Sequence, residues 1–401
     1  MNRNNERTVL VVGLALWCVS LTIGGLRVIL PVYFSSVGLS VPKIALFFVL
    51  DTTGQILAPI VIGTLINRIG YRRCVLGGLG IHALISFMYL FDPTLMLIYF
   101  ERFIRGLMTM PLMTEVYVKH FSSKVGQSHH INLVLGLGDV AKGLGMLIGG
   151  GLIAVLPFRY SIMVFGLLIS VAGALALIYL PDLREQVKMP ILQIWRNVDA
   201  KIKTLGLSRG FLQGAEDAWA SAILPLYLTV VFGLPSTQVG AVMMVGLIFY
   251  GSNVSVLSRW ILTRWDPRKA LVGSGLLLLP VCFSLSLPTS VSIFIFVMCL
   301  YQMLNAACAV YQNHLKLEFA SKEKTSIDLA VFKTLSNIVK PVAVLIAGVL
   351  ADRMGFNWVF YFSSLLVLLS ALTSLVLSKA SRQSSPVVMA SFGSEVAALK
   401  K

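Results

Sequence analysis

The sequence is poor in charge. Only 12% of its 401 residues are Asp, Glu, Lys or Arg, against 57% hydrophobic, and mean hydropathy is +0.85. Soluble domains carry roughly 25% charged residues, so this scarcity excludes an ordinary soluble fold and points to a polytopic membrane protein. Acidic residues are scarcer still, 17 against 33 basic, for a net charge of +16. In a soluble chain that excess would suggest nucleic acid. Here it reports membrane topology, and no nucleic-acid partner is expected. Cysteine is sparse and patternless. Cys18, Cys74, Cys282, Cys299 and Cys308 lie in or beside apolar segments without CxxC or Cys/His spacing, as small packing residues do. The loop pair His129-His130 is too little for a metal site. No HExxH and no GxSxG is present, so neither an enzyme nor a bound cofactor is expected. The first apolar run has no convincing cleavage site after it and reads as a membrane anchor rather than a signal peptide.

What is abundant is apolar length. Twelve stretches are long enough to span a bilayer: 8–34, 43–66, 74–91, 94–117, 131–156, 159–180, 207–233, 238–258, 270–287, 289–315, 326–351 and 357–378. Unpaired backbone groups are not tolerated in lipid, so each should be a helix. The expected fold is an all-α membrane protein of twelve transmembrane helices in two six-helix bundles. With the N-terminus cytoplasmic, one face holds 24 Lys and Arg and the other only Lys43, Arg159 and Arg353. That asymmetry places both termini in the cytoplasm and the chain in the inner membrane. The expected divisions are an N-terminal bundle over 1–180, a basic cytoplasmic linker over 181–206, a C-terminal bundle over 207–378 and a disordered tail over 379–401. Within the linker, 191–195 reads either as an interfacial helix or as simple solvated chain.

The halves repeat. Arg68-Ile69-Gly70-Tyr71-Arg72-Arg73 after the second stretch matches Arg264-Trp265-Asp266-Pro267-Arg268-Lys269 after the eighth, with basic residues in register. The sixth stretch opens Phe158-Arg159-Tyr160 and the twelfth Phe356-Asn357-Trp358. Parallel repeats with a site at their interface are the plan of a rocking transporter. The chain resembles the major facilitator superfamily over its length to about residue 378. The best match is Gly63-Thr64-Leu65-Ile66-Asn67-Arg68-Ile69-Gly70-Tyr71-Arg72-Arg73, similar to the family's loop Gly-x-Leu-x-Asp-Arg-x-Gly-Arg-[Arg/Lys]. The resemblance implies a gating latch at Gly63, Asn67, Arg68, Gly70, Arg72 and Arg73, mirrored by Arg264 and Arg268. Asn67 replaces an Asp, so the latch is weaker or relies on Arg72 reaching a carboxylate such as Asp328. Arg102-Phe103-Ile104-Arg105-Gly106 is similar to the family's Arg-x-x-Gln-Gly motif, associated with proton coupling. Gly145 to Gly150 is similar to the antiporter motif Gly-Pro-x-x-Gly-Gly with Met146 for Pro, or is a small-residue packing surface.

Twelve ionisable residues lie within the apolar stretches: Arg27, Asp51, Glu101, Arg102, Arg105, Glu115, Asp139, Lys142, Glu216, Asp217, Lys333 and Lys340. Each costs at least ~2.5–3.5 kcal/mol in hydrocarbon, so they must pair or line a wet cavity. Glu101–Arg105 at i,i+4 and Asp139–Lys142 at i,i+3 can pair within their own helices. Lys333, Ser336, Asn337 and Lys340 form a stripe with no acidic residue on it. Candidate solute contacts are Arg27, Arg102, Arg105, Lys142, Tyr301, Gln302, Asn305, Lys333, Asn337 and Lys340. Candidate proton carriers are Asp51, Asp139, Glu216 and Asp217. The reading is a monomeric secondary transporter for a small polar, carboxylate-bearing anion or zwitterion, driven by a proton gradient. A multidrug/proton antiporter and a non-transporting membrane sensor are the alternatives.

Overall fold

The computed structural model of the chain describes residues 3–108, 110–121, 127–182, 198–261, 265–287, 290–320 and 325–382. Among these there are fourteen α-helices, one short 3-10 turn and no strand. The first half comprises α1 (Arg3–Ser36), α2 (Val41–Ile69), α3 (Tyr71–Met88), α4 (Leu95–Leu107), α5 (Met110–Phe121), α6 (Gln127–Val155) and α7 (Phe158–Tyr179). The second comprises α8 (Ala200–Ala220), α9 (Ile223–Val230), α10 (Ser236–Ile261), α11 (Pro267–Ser284), α12 (Val291–Phe319), α13 (Thr325–Met354) and α14 (Phe356–Arg382). The helices start where side chains can take an orphan backbone N–H: Thr94, Asp199, Asp266 and Ser290 each accept from the first turn. The expected linker segment 191–195, Arg264 and the tail beyond 382 lie outside the described residues. So do the surroundings of Gly63 and the side chains of Asn67 and Glu115.

Two of the twelve expected spans are broken. The stretch 94–117 divides into α4 and α5 where Met108 leaves helical geometry, at φ −93° and ψ 50°. The carbonyl freed there meets His82 Nε2 at 3.2 Å. The stretch 207–233 divides into α8 and α9 just before Pro225, which has no N–H for Ser221 and whose ring crowds that residue's carbonyl. Nine helices among the described residues are long and apolar enough to cross a membrane. The remaining three spans are these two broken ones and α11, which has Arg268 and Lys269 in its first turn.

Glycine decides how closely the helices approach. A Cβ on Gly24 would stand 1.9 Å from the Lys142 carbonyl oxygen, and one on Gly145 1.9 Å from that of Leu21, so α1 and α6 touch backbone to backbone. Between the halves, a Cβ on Gly150 would lie 2.3 Å from Ser236 O and one on Gly240 2.4 Å from Met146 O. The Gly145–Gly150 cluster therefore packs α6 on both sides, without any need for an antiport role. Gly145→Ala is expected to push the helices apart and destabilise by roughly 1–3 kcal/mol, the usual cost of overpacking. A melting temperature in detergent equal to that of the parent would refute the contact.

The halves close on each other at the end opposite the termini. Leu26, Ile29, Leu30, Ile44 and Ala45 of the first half share an apolar cluster with Ala222, Leu226 and Val344 of the second. Gly348 of α13 lies against Ala45 of α2. Nearer the termini, α5 packs on α1, α3 and α6, and α12 on α8, α10 and α11, each within its own half.

Candidate functional site

The two halves meet electrically at Asp217. Arg27 Nη2 of α1 lies 3.6 Å from its Oδ1, and Lys340 Nζ of α13 lies 3.5 Å from its Oδ2. Ser221 Oγ donates to Oδ1 at 3.1 Å. The three charged side chains are only 12–17% exposed. Distances of 3.5–3.6 Å are ion pairs without a well-formed hydrogen bond, so both cations keep donors to offer. Arg27 Nε is buried with no hydrogen-bond partner among the described residues. Lys142 stands within electrostatic range of Arg27, Asp217 and Lys340. Gly24 places it there, because only a residue without a side chain lets α1 ride on α6 at that level.

Glu216, the neighbour of Asp217, points elsewhere, as the ~100° step of a helix requires. Its carboxylate accepts from Gln302 Nε2 at 3.3 Å and Asn305 Nδ2 at 2.9 Å, both on α12. Gln302 Oε1 and Asn305 Oδ1 are buried without partners among the described residues. Tyr301 is buried beside them, edge-on to Trp219 with centroids 5.3 Å apart. On α13, Ser336 and Asn337 are buried while Lys333 is exposed. Asp139 lies in the field of Lys142, Lys333, Arg27 and Arg209.

The expected in-helix pairs diverge. Glu101–Arg105 forms, with Arg105 Nε donating to Glu101 Oε1 at 2.8 Å. Asp139–Lys142 does not come within 4.0 Å, so those charges stay available between helices rather than cancelling in place. Arg102 joins the Glu101 group through Nε–Oε2 at 2.8 Å, and Tyr89 donates to the same oxygen at 3.2 Å. Arg105 also reaches His82 Nδ1 at 3.4 Å and Ser86 Oγ at 3.5 Å. Since Arg only donates, His82 carries its proton on Nε2 and gives it to Met108 O. Arg102 and Arg105, expected to touch solute, have side chains 5% and 1% exposed and are spent within this network. Asp51 accepts from Gln55 Nε2 at 3.0 Å and lies in the field of Arg102, Arg27 and Arg105.

At the expected latch, Gly70 adopts φ 86°, a left-handed turn that suits only glycine, and joins α2 to α3. Arg72 Nη2 donates to Leu177 O of α7 at 2.7 Å, so it serves its own half and does not reach Asp328, which is buried at the start of α13. Arg268 pairs with Glu318, and Arg68 and Arg73 are exposed.

One residue was missed by the sequence reading. Arg209 is the third residue of the stretch 207–233, where linker gives way to span, and was not among the candidate site residues. It lies on α8 one turn before Gln213 and two before Glu216, and that i, i+4, i+7 stripe was the signal. It donates to Gln312 Oε1 at 3.1 Å and Tyr250 OH at 3.3 Å. With its amide turned to satisfy both neighbours, Gln213 accepts from Arg209 Nε and Nη2 at 3.2 Å and donates to Ser336 O at 3.0 Å.

A family model described as Major Facilitator Superfamily matches residues 12–339 and 209–391. No curated protein matches the chain. Among solved structures, the human organic anion transporter MFSD10 (TETRAN) is similar at 17% identity and TM-score 0.69, covering 92% of this chain and 99% of that one. A bacterial homologue of the human lysosomal transporter Spinster is similar in two inward-facing structures. The occupied one has TM-score 0.80 and 10% identity over 94% of this chain and 98% of its own, and the unoccupied one 0.74 and 12% over 96% and 100%. At these identities the likeness is one of fold.

Proposed function

The chain belongs to the Major Facilitator Superfamily, a transporter and not an enzyme, and from that premise we propose that it carries a small, polar, carboxylate-bearing anion or zwitterion by proton-coupled alternating access. One observation supports this most. On the facing helices of the two halves stand five cations, Arg27, Lys142, Arg209, Lys333 and Lys340, against four carboxylates, Asp51, Asp139, Glu216 and Asp217. An excess of one positive charge at membrane depth suits a negatively charged passenger. Arg supplies a bidentate grip for carboxylate and Lys a point charge. With the termini cytoplasmic, closure at the opposite end corresponds to an inward-facing carrier of the inner membrane, acting as a monomer. A solute carboxylate that takes over Arg27 and Lys340 leaves Asp217 without counter-charges in a low-dielectric site. A carboxylate so stripped takes up a proton, which links solute to proton.

The test is transport by purified protein in vesicles under an imposed pH gradient. Small organic carboxylates are expected to move, and Lys340→Ala is expected to raise KM by roughly tenfold or more, as loss of one charge-assisted contact does. If a lipophilic cation such as tetraphenylphosphonium is carried instead, and Lys333→Ala and Lys340→Ala leave its transport unchanged, the protein is a drug exporter.

A further inference from the structure

Arg209 raises a question that the Asp217 cluster does not answer. Its guanidinium is held by an amide oxygen of α12, a phenol of α10 and an amide of its own helix, all neutral. Among the described residues no carboxylate comes within 4.0 Å of it. Glu216 shares its helix face two turns on, but is turned to Gln302 and Asn305. Gln213 lies between them, its amide locked between Arg209 and Ser336 O, so the two charges are kept apart. A guanidinium held by neutral dipoles is fixed in direction without a contacting counter-charge, and one N–H of Nη1 is left for a further acceptor. It is partly accessible rather than sealed, unlike Arg102 and Arg105.

We infer that Arg209, positioned by Gln213, Tyr250 and Gln312, is a second carboxylate subsite, and that the solute carries two separated carboxylates. This rests on the anion-carrier reading and sharpens it. One carboxylate docks between Arg27 and Lys340, the other at Arg209. Eight residues of α8 separate Arg209 from Asp217, an axial distance of about 12 Å at ~1.5 Å per residue. The preferred solute is accordingly an extended dicarboxylate rather than a compact one.

The experiment is calorimetric titration of the purified full chain with succinate, adipate, suberate and sebacate, and with hexanoate and octanoate as single-ended controls. Wild type is expected to bind suberate roughly ten- to hundredfold tighter than octanoate, the gain from one more contact to a charged group. Affinity should rise from succinate toward the longer diacids. Arg209→Gln is expected to abolish the preference for suberate over octanoate, while Arg209→Lys restores part of it. The wild-type length series needs no variant, so a misfolded substitution does not hide the answer. Equal binding of suberate and octanoate by wild type, or equal weakening of both by a folded Arg209→Gln, overturns the second subsite while leaving an anion carrier. If neither series binds, both readings fall.

Discussion

Asp217→Ala is expected to destabilise the protein by on the order of 3–5 kcal/mol, the cost of removing one partner from a buried ion group, and to stop transport. Arg27 and Lys340 both face this carboxylate, at 3.6 and 3.5 Å, with little exposure to water. Without it, two like charges from opposite halves oppose each other and Lys142 adds a third in range. The closed end of the molecule should then loosen, because the Arg27–Asp217 ion pair ties α1 to α8 at this level. Thermal unfolding in detergent and vesicle transport measure the two effects. A companion variant separates repulsion from simple loss of fold: adding Lys340→Met to Asp217→Asn should recover a large part of the melting temperature and none of the transport. A single Asp217→Ala that melts like wild type would show that the cluster is solvated and holds nothing.

The second large effect is expected at Glu101, for a different reason. Glu101 is 2% exposed and accepts from Arg102, Arg105 and Tyr89 at once. Glu101→Gln puts an amide where two guanidiniums need a negative charge, and is expected to lower stability by about 3–5 kcal/mol. Loss should spread to the α4–α5 break, since Arg105 holds His82 and His82 holds the Met108 carbonyl. The readout that distinguishes scaffold from site is kinetic. Any folded Glu101→Gln protein in vesicles should show lower abundance and an unchanged KM. A raised KM with normal stability would make the network part of the solute path instead.

The sequence carried the fold because bilayer physics is strict. Every apolar run of spanning length had to be a helix, and the twelve stretches all contain helix in the structure. The Gly145–Gly150 surface was legible too, since small residues admit backbone contact whatever they touch. The helix breaks were less so. Pro225 was visible, but that it ends α8 while Pro31 and Pro341 sit within continuous helices depends on neighbours. At Met108 the breaker is Pro111, which has no N–H for Leu107, but the kink is completed by a histidine 26 residues away in sequence.

For the site, spacing along one helix settled what one helix can settle. Glu101–Arg105 could be read as a pair because both residues are on α4. Asp139–Lys142 has similar spacing and does not come within 4.0 Å, and Lys333, Arg27 and Arg209 from other helices share the same carboxylate's field with Lys142. Composition and periodicity thus determined a helical membrane protein of twelve apolar stretches with more charge than lipid allows. Only the tertiary structure decided which charges cancel. Arg102 and Arg105 are consumed by Glu101, Arg209 emerges held by neutral dipoles alone among the described residues, and Asp217 becomes the carboxylate shared by both halves. The physical reason is that a charge in a membrane is defined by its partners, and those partners lie on helices far apart in the chain.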